Sequence, residues 1–134
     1  MVGVLVVTHG KLAQELLETT RIIVGKNSDH LIPISVGWND DMADVQKTIT
    51  AAITKADQGD GVLILTDMFG GTPSNISLSF LSDKVEIITG VNLPMLIKIV
   101  NVGDRYGLRE LAQLITEQGK KSIYLASEIL SMRK

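Results

Sequence analysis

The sequence contains no cysteine, which excludes a disulfide framework, thiolate metal sites and cysteine nucleophiles. Aromatic residues make up only 4% of it, too few for the stacking platforms that hold single-stranded nucleic acids. Basic residues are not in excess: 13 Lys and Arg stand against 15 Asp and Glu, for a formal charge of −2. The cationic face that nucleic-acid binding needs is therefore not expected. No run approaches the roughly 18 consecutive apolar residues of a membrane span. Val2 to Val7 is apolar but too short for a signal-peptide core, so a cytoplasmic protein without membrane insertion is expected. Repeats, low-complexity tracts and linkers are also lacking.

What remains is 134 residues, 45% hydrophobic and 21% charged, the composition of a single globular domain over residues 1–134. Short β-branched runs alternate with amphipathic stretches. Val2–Val7, Leu31–Val36, Gly61–Thr66 and Val85–Thr89 read as strands, and Ser122–Ala126 as a fifth. A continuous apolar run such as Val2–Val7 belongs to a strand covered on both faces. Pro33 suggests an irregular or edge position for the second strand. Helical spacing predicts helices over Lys11–Val24, closed by Gly25, and from a cap at Asn39 or Asp40 to about Asp57. Thr72 as cap and Pro73 at the first position predict another to about Leu81. Two more run over Pro94–Val100 and Leu108–Gln118, the second ended by Gly119. This alternation implies an α/β domain with a doubly wound, mostly parallel sheet.

Ligands of such sheets bind at the carboxyl ends of the strands, where the strand order reverses. In a flavodoxin-like order 2-1-3-4, two loops flank that point. One is Thr8-His9-Gly10 and the other runs from Asp67 to Asn75. An aspartate that accepts from one imidazole nitrogen fixes the tautomer and leaves a lone pair on the other. His9 beside Asp67 is thus a candidate nucleophile or base. Gly70-Gly71 lets main-chain amides approach a ligand, and Thr72 adds a hydroxyl at a helix start, a combination suited to a phosphoryl group. Taken alone, a Gly-Gly-Thr turn suits a tight turn with a helix cap equally well, and Asp67 alone suits a loop cap or a magnesium ligand. Gly10-Lys11 lacks the spacing and the Ser or Thr of a P-loop, and no G-x-G-x-x-G follows the first strand. The acidic cluster of a phospho-accepting receiver domain is missing there too. No convincing metal-ligand set is present.

Three stretches, Val7–Gly10, Thr66–Asn75 and Gly90–Leu96, resemble the enzyme IIA component of the mannose-type family of the bacterial phosphoenolpyruvate-dependent sugar phosphotransferase system. They stand in the family's order and spacing, and the resemblance covers essentially the whole chain. It implies that His9 accepts a phosphoryl group from the histidine-containing phosphocarrier protein and passes it to a IIB protein. Asp67 would orient His9, and Gly70, Gly71 and Thr72 would hold the phosphoryl oxygens. A phosphoramidate is energy-rich, so onward transfer needs no metal, nucleotide or other cofactor. The resemblance also implies a homodimer, in several members through exchange of the last strand, here Ser122–Ala126. Some members continue into a IIB domain. This chain stops at Lys134, so a separate acceptor is expected.

Trp38, on the same strand edge as His9, is either packed down or a docking anchor. Phe69 lies inside the site loop as a shield, a partner contact or a core residue. Thr8 and Asn92 complete the candidate rim. His30 has no motif partner and reads as a solvated loop residue. Two other functions remain open: a regulatory module whose partner binding is switched by His9 phosphorylation, and a domain that binds a small phospho-ligand with His9 unmodified.

Overall fold

The computed structural model describes residues 1–25 and 28–132. Four strands form its sheet: β1 (Gly3–His9), β2 (Leu31–Val36), β3 (Val62–Thr66) and β4 (Val85–Thr89). Their order is β2-β1-β3-β4 and every neighbouring pair is parallel, as the sequence pattern implies. The helices are α1 (Leu12–Val24), α2 (Met42–Ala56), α3 (Thr72–Leu78), α4 (Leu93–Val102), α5 (Leu108–Lys121) and α6 (Ala126–Met132).

Side chains alternate across the strands, and the two faces carry separate cores. Val4, Val6, Leu63 and Leu65 meet Leu17 of α1, Leu96 of α4 and Ile115 of α5. On the other face Leu5, Val7, Val62 and Ile64 meet Val45 and Ile49 of α2 and Ile76 of α3. β1 and β3 are buried from both sides, which is why they read as unbroken apolar runs. β2 is an edge strand and accommodates Pro33, which sits opposite Val6. Gly25 ends α1 in the left-handed conformation, its N–H bonded to the Arg21 carbonyl.

Several local expectations are corrected. Asp41, not Asn39 or Asp40, caps α2, its Oδ1 accepting from the Ala43 N–H at 3.0 Å. Asp40 instead closes the preceding turn on the Gly37 N–H at 2.7 Å. Gly71 is the N-cap of α3 and Thr72 its first residue. Beyond Leu78 that helix tightens: Ser79, Phe80 and Leu81 each donate to the carbonyl three residues back. α5 runs through Gly119, whose missing side chain gives Met95 of α4 its room. A Cβ there would stand 2.7 Å from the Met95 sulfur.

The fifth strand does not form. Ser122 to Leu125 lie outside any element, and Ala126 begins α6. A strand-like composition makes a strand only where a ladder partner is within reach. Ile123, Tyr124 and Leu125 are instead 77%, 70% and 62% exposed. Among the described residues the outer edge of β4 has no strand beside it.

Thr8 is fully buried, and its hydroxyl accepts the Ala13 N–H at 2.7 Å, capping α1 from five residues back. Lys11, the N-cap by position, makes no side-chain cap bond. Thr8→Val keeps the shape and removes that acceptor, so it should destabilise the fold by about 1–2 kcal/mol in urea denaturation. An unchanged midpoint would show that the Ala13 N–H does not depend on Thr8.

Candidate functional site

β1 ends at His9 and β3 at Thr66, side by side at the carboxyl edge of the sheet. From this central pair the strand order runs outward in both directions, to β2 and to β4. The candidate loops meet here because the topology brings them here. Main-chain bonds hold the loops to their neighbours. Gly10 N–H donates to the Val36 carbonyl at 3.0 Å, and the Gly90 and Val91 N–H groups both donate to the Thr66 carbonyl at 2.9 Å.

Asp67 follows β3 directly. Its Oδ2 accepts two hydrogen bonds from His9, from the main-chain N–H at 3.0 Å and from Nδ1 at 2.7 Å. Its Oδ1 accepts the Met68 N–H at 3.1 Å. Burial pushes the carboxyl group's pKa up, but the hydrogen bonds from the His9 ring and main chain outweigh it. The net result lies below the ordinary value. Asp67 is therefore ionised near neutrality and can only accept. Nδ1 carries the hydrogen of this bond, so in the neutral form of the ring the lone pair is on Nε2. The side chains are 31% exposed for His9 and 10% for Asp67, so the carboxylate lies beneath a ring that reaches solvent.

Gly71 stands against the other edge of that ring. A Cβ built on it would lie 2.7 Å from His9 Cε1 and 3.3 Å from Nε2, so any side chain would push the imidazole out of place. Gly70, with φ of +88°, makes the turn that brings the main chain there. Asn75 holds the loop from inside α3, donating from its side chain to the Gly70 carbonyl at 3.4 Å and from its main chain to the Gly71 carbonyl at 2.9 Å. The first amides of a helix have no partner within it. An anion attached to Nε2 would lie beside the start of α3, with Thr72 exposed as its first residue.

Trp38, in the turn after β2, places its ring centroid 6.0 Å from that of His9, tilted by 37°. It is 92% exposed, and Phe69 and Met68 in the loop beyond Asp67 are also exposed, so none of the three packs down into the core. Thr8 and Asn92 are occupied elsewhere. The first caps α1. Asn92 caps α4 through the Met95 N–H at 3.2 Å and donates to the Gly119 carbonyl of α5 at 3.2 Å. His30 lies before β2, at the opposite edge of the sheet. It is half-buried rather than solvated, and burial lowers its imidazole pKa despite the nearby Asp29.

The sequence pattern brings His9, Asp67 and the glycine loop together correctly. It does not reveal the contact of Gly71 with the imidazole, which depends on how α3 is placed. The pairing of Trp38 with His9 follows only from the strand order. Among the described residues no three His, Asp or Glu side chains converge as metal ligands, and no helix is long and apolar enough to cross a membrane.

Known proteins resemble this chain over most of its length. The family model for the PTS system fructose IIA component matches residues 3–116. The fructose-specific EIIA component of Bacillus subtilis (strain 168) is 27% identical over 100% of this chain and 92% of its own length. The mannose-specific EIIAB component of Escherichia coli (strain K12) is 31% identical over 91% of this chain, which spans only 38% of that longer protein. Among solved structures, the PTS IIA protein associated with the fucose utilization operon of Streptococcus pneumoniae superposes with a TM-score of 0.83. It is 26% identical, with 97% of this chain and 99% of that one covered. The mannose/sorbose-specific IIA subunit of Enterococcus faecalis gives a TM-score of 0.82 at 27% identity, covering 92% and 93%. With residues 3–116 matched by the family model, the chain belongs to the PTS system fructose IIA components, the mannose-type enzyme IIA family of the sugar phosphotransferase system.

Proposed function

We propose that this protein is a phosphocarrier that accepts a phosphoryl group on Nε2 of His9 from the histidine-containing phosphocarrier protein and passes it to a IIB protein of a mannose-type sugar permease in the cytoplasm. The observation that carries the proposal is the 2.7 Å bond between His9 Nδ1 and Asp67, which leaves the Nε2 lone pair free beside Gly71.

The step balances without a proton leaving His9. The Nε2 lone pair forms a bond to phosphorus while the donor's N–P bond breaks, and that electron pair returns to the donor imidazole. His9 keeps its Nδ1 hydrogen, so its ring becomes cationic as the phosphoryl group arrives. Asp67 holds the ring in line and offsets the new charge. Gly70, Gly71 and Thr72 supply main-chain and hydroxyl donors for the phosphoryl oxygens. Transfer to the acceptor is the same step in reverse.

The protein is proposed to work as a homodimer. The open edge of β4 and the neighbouring face of α5 form a groove of about 510 Å³ lined by Glu86, Ile87, Ile88, Arg109 and Thr116 among others. Ile123, Tyr124 and Leu125 are exposed within the same chain. An uncovered strand edge and an exposed apolar segment complement one another when two copies exchange that segment. Sedimentation equilibrium should give twice the mass of the chain for the wild type and a monomer for Ile123→Asp. A monomeric wild type at micromolar concentration would refute the dimer.

Intact mass after incubation with phosphoenolpyruvate, enzyme I and the phosphocarrier protein tests the central proposal. One acid-labile phosphoryl group is expected on the wild type and none on His9→Ala. A wild type that stays unlabelled with donors active on a known IIA protein would overturn it. Labelling followed by capture of another protein without transfer would favour the regulatory role over transport.

Asp67→Ala should slow labelling about 10- to 100-fold, the value of a charge-assisted hydrogen bond, without abolishing it. A wild-type rate would refute the orienting role. Gly71→Ala forces a methyl group against the ring and should lower the rate at least tenfold while the protein stays folded by circular dichroism. An unaffected rate would show that the loop can yield.

A further inference from the structure

We propose that Trp38 stabilises the positive charge that forms on the His9 ring during transfer, through a ring contact separate from the hydrogen bond of Asp67. The inference rests on the reading of His9 as the phosphoryl acceptor. A tryptophan that served only the fold would bury its indole, and this one is 92% exposed. Its ring lies against the imidazole, 6.0 Å away between centroids. The main chain holds it there. Gly37 N–H donates to Asp40 Oδ2 at 2.7 Å, and Asp40 N–H returns to the Gly37 carbonyl at 3.4 Å. The turn with Trp38 at its tip is thus closed from both ends and leads straight into α2, capped by Asp41. On the opposite side, the Gly10 N–H ties the loop of His9 to the end of β2.

The chemistry gives that placement a use. Attack needs a lone pair on Nε2, so the ring that attacks carries no charge. Once the Nε2–phosphorus bond forms and the donor's N–P bond breaks, both nitrogens are substituted and the ring is a cation. An aromatic face attracts a cation within about 6 Å and a neutral ring much less. The interaction is therefore stronger in the transition state and the phosphorylated form than in the free protein, which is the condition for it to accelerate transfer.

Steady-state phosphorylation by the protein donor, compared among wild type, Trp38→Phe and Trp38→Leu, separates this role from docking. Trp38→Leu should lower kcat about two- to fivefold, the range for an exposed cation–aromatic contact, with KM little changed. Trp38→Phe should recover part of the loss. A raised KM with unchanged kcat would make Trp38 a docking contact and overturn the inference, as would no change in either constant. Trp38 is the only tryptophan in the chain, so its fluorescence gives a second readout. A cationic ring quenches indole emission more than a neutral one, and emission should fall on phosphorylation of the wild type. Constant emission would count against the charge contact. If the wild type itself takes no label, the acceptor reading has failed, a result distinct from a labelled wild type with an indifferent Trp38.

Discussion

One oxygen atom, Oδ2 of Asp67, receives both the main-chain and the ring N–H of His9. The main-chain bond fixes where the histidine leaves β1, and the ring bond fixes which way it faces and which nitrogen holds the hydrogen. A carboxylate so little exposed loses hydration, and three N–H donors spread over its two oxygens offset that loss. The arrangement is available because β1 and β3 are adjacent and parallel, with Val7 opposite Thr66, so both chains leave the sheet at one edge. Shift either strand and the tautomer is no longer determined. The glycine loop depends on the same oxygen, because Gly71 can approach Nε2 only while the ring stays seated on Asp67.

The parts of the fold legible in the sequence are those set by local pattern. β1 and β3 are covered on both faces and declare themselves as continuous apolar runs. The left-handed end of α1 is visible in Gly25. Where a residue's role depends on a distant neighbour, the pattern misleads. Gly119 looks like a helix stop, yet it is a helical residue that makes space for Met95. Ser122–Ala126 has the composition of a strand but no ladder partner within its own described chain. His9 and Asp67 were legible as a pair because strand order and chemistry point to the same edge. Thr8 and Asn92 stand in the right loops, but their polar atoms serve helix starts, a use that only the packed structure reveals.

The site is open. His9 reaches solvent beside the exposed Trp38, with Met68 and Phe69 exposed in the loop after Asp67, while the carboxylate lies beneath it. Such an open surface suits a macromolecular partner better than a small molecule, which would need enclosing walls. The protein's own contribution is then concentrated in electrostatics that are present before any encounter. The carboxylate is ionised, the ring is held through Nδ1, and the amides at the start of α3 are in place, so the proposed transfer would need little reorganisation.

Asp67 lies 58 positions after His9, and the chain must cross the sheet by way of β2 and α2 before β3 brings the second to the first. His9 is synthesised almost at once, yet its ring gains its carboxylate partner only when the most non-local strand pairing of the fold closes. Pairings of that kind are the slow ones in folding, since a long loop must be ordered before the contact is gained. Chemical competence and completion of the central sheet are thus a single event. A nascent or partly unfolded chain displays the imidazole without the carboxylate, and under the proposed role would be a poorer acceptor than the folded protein.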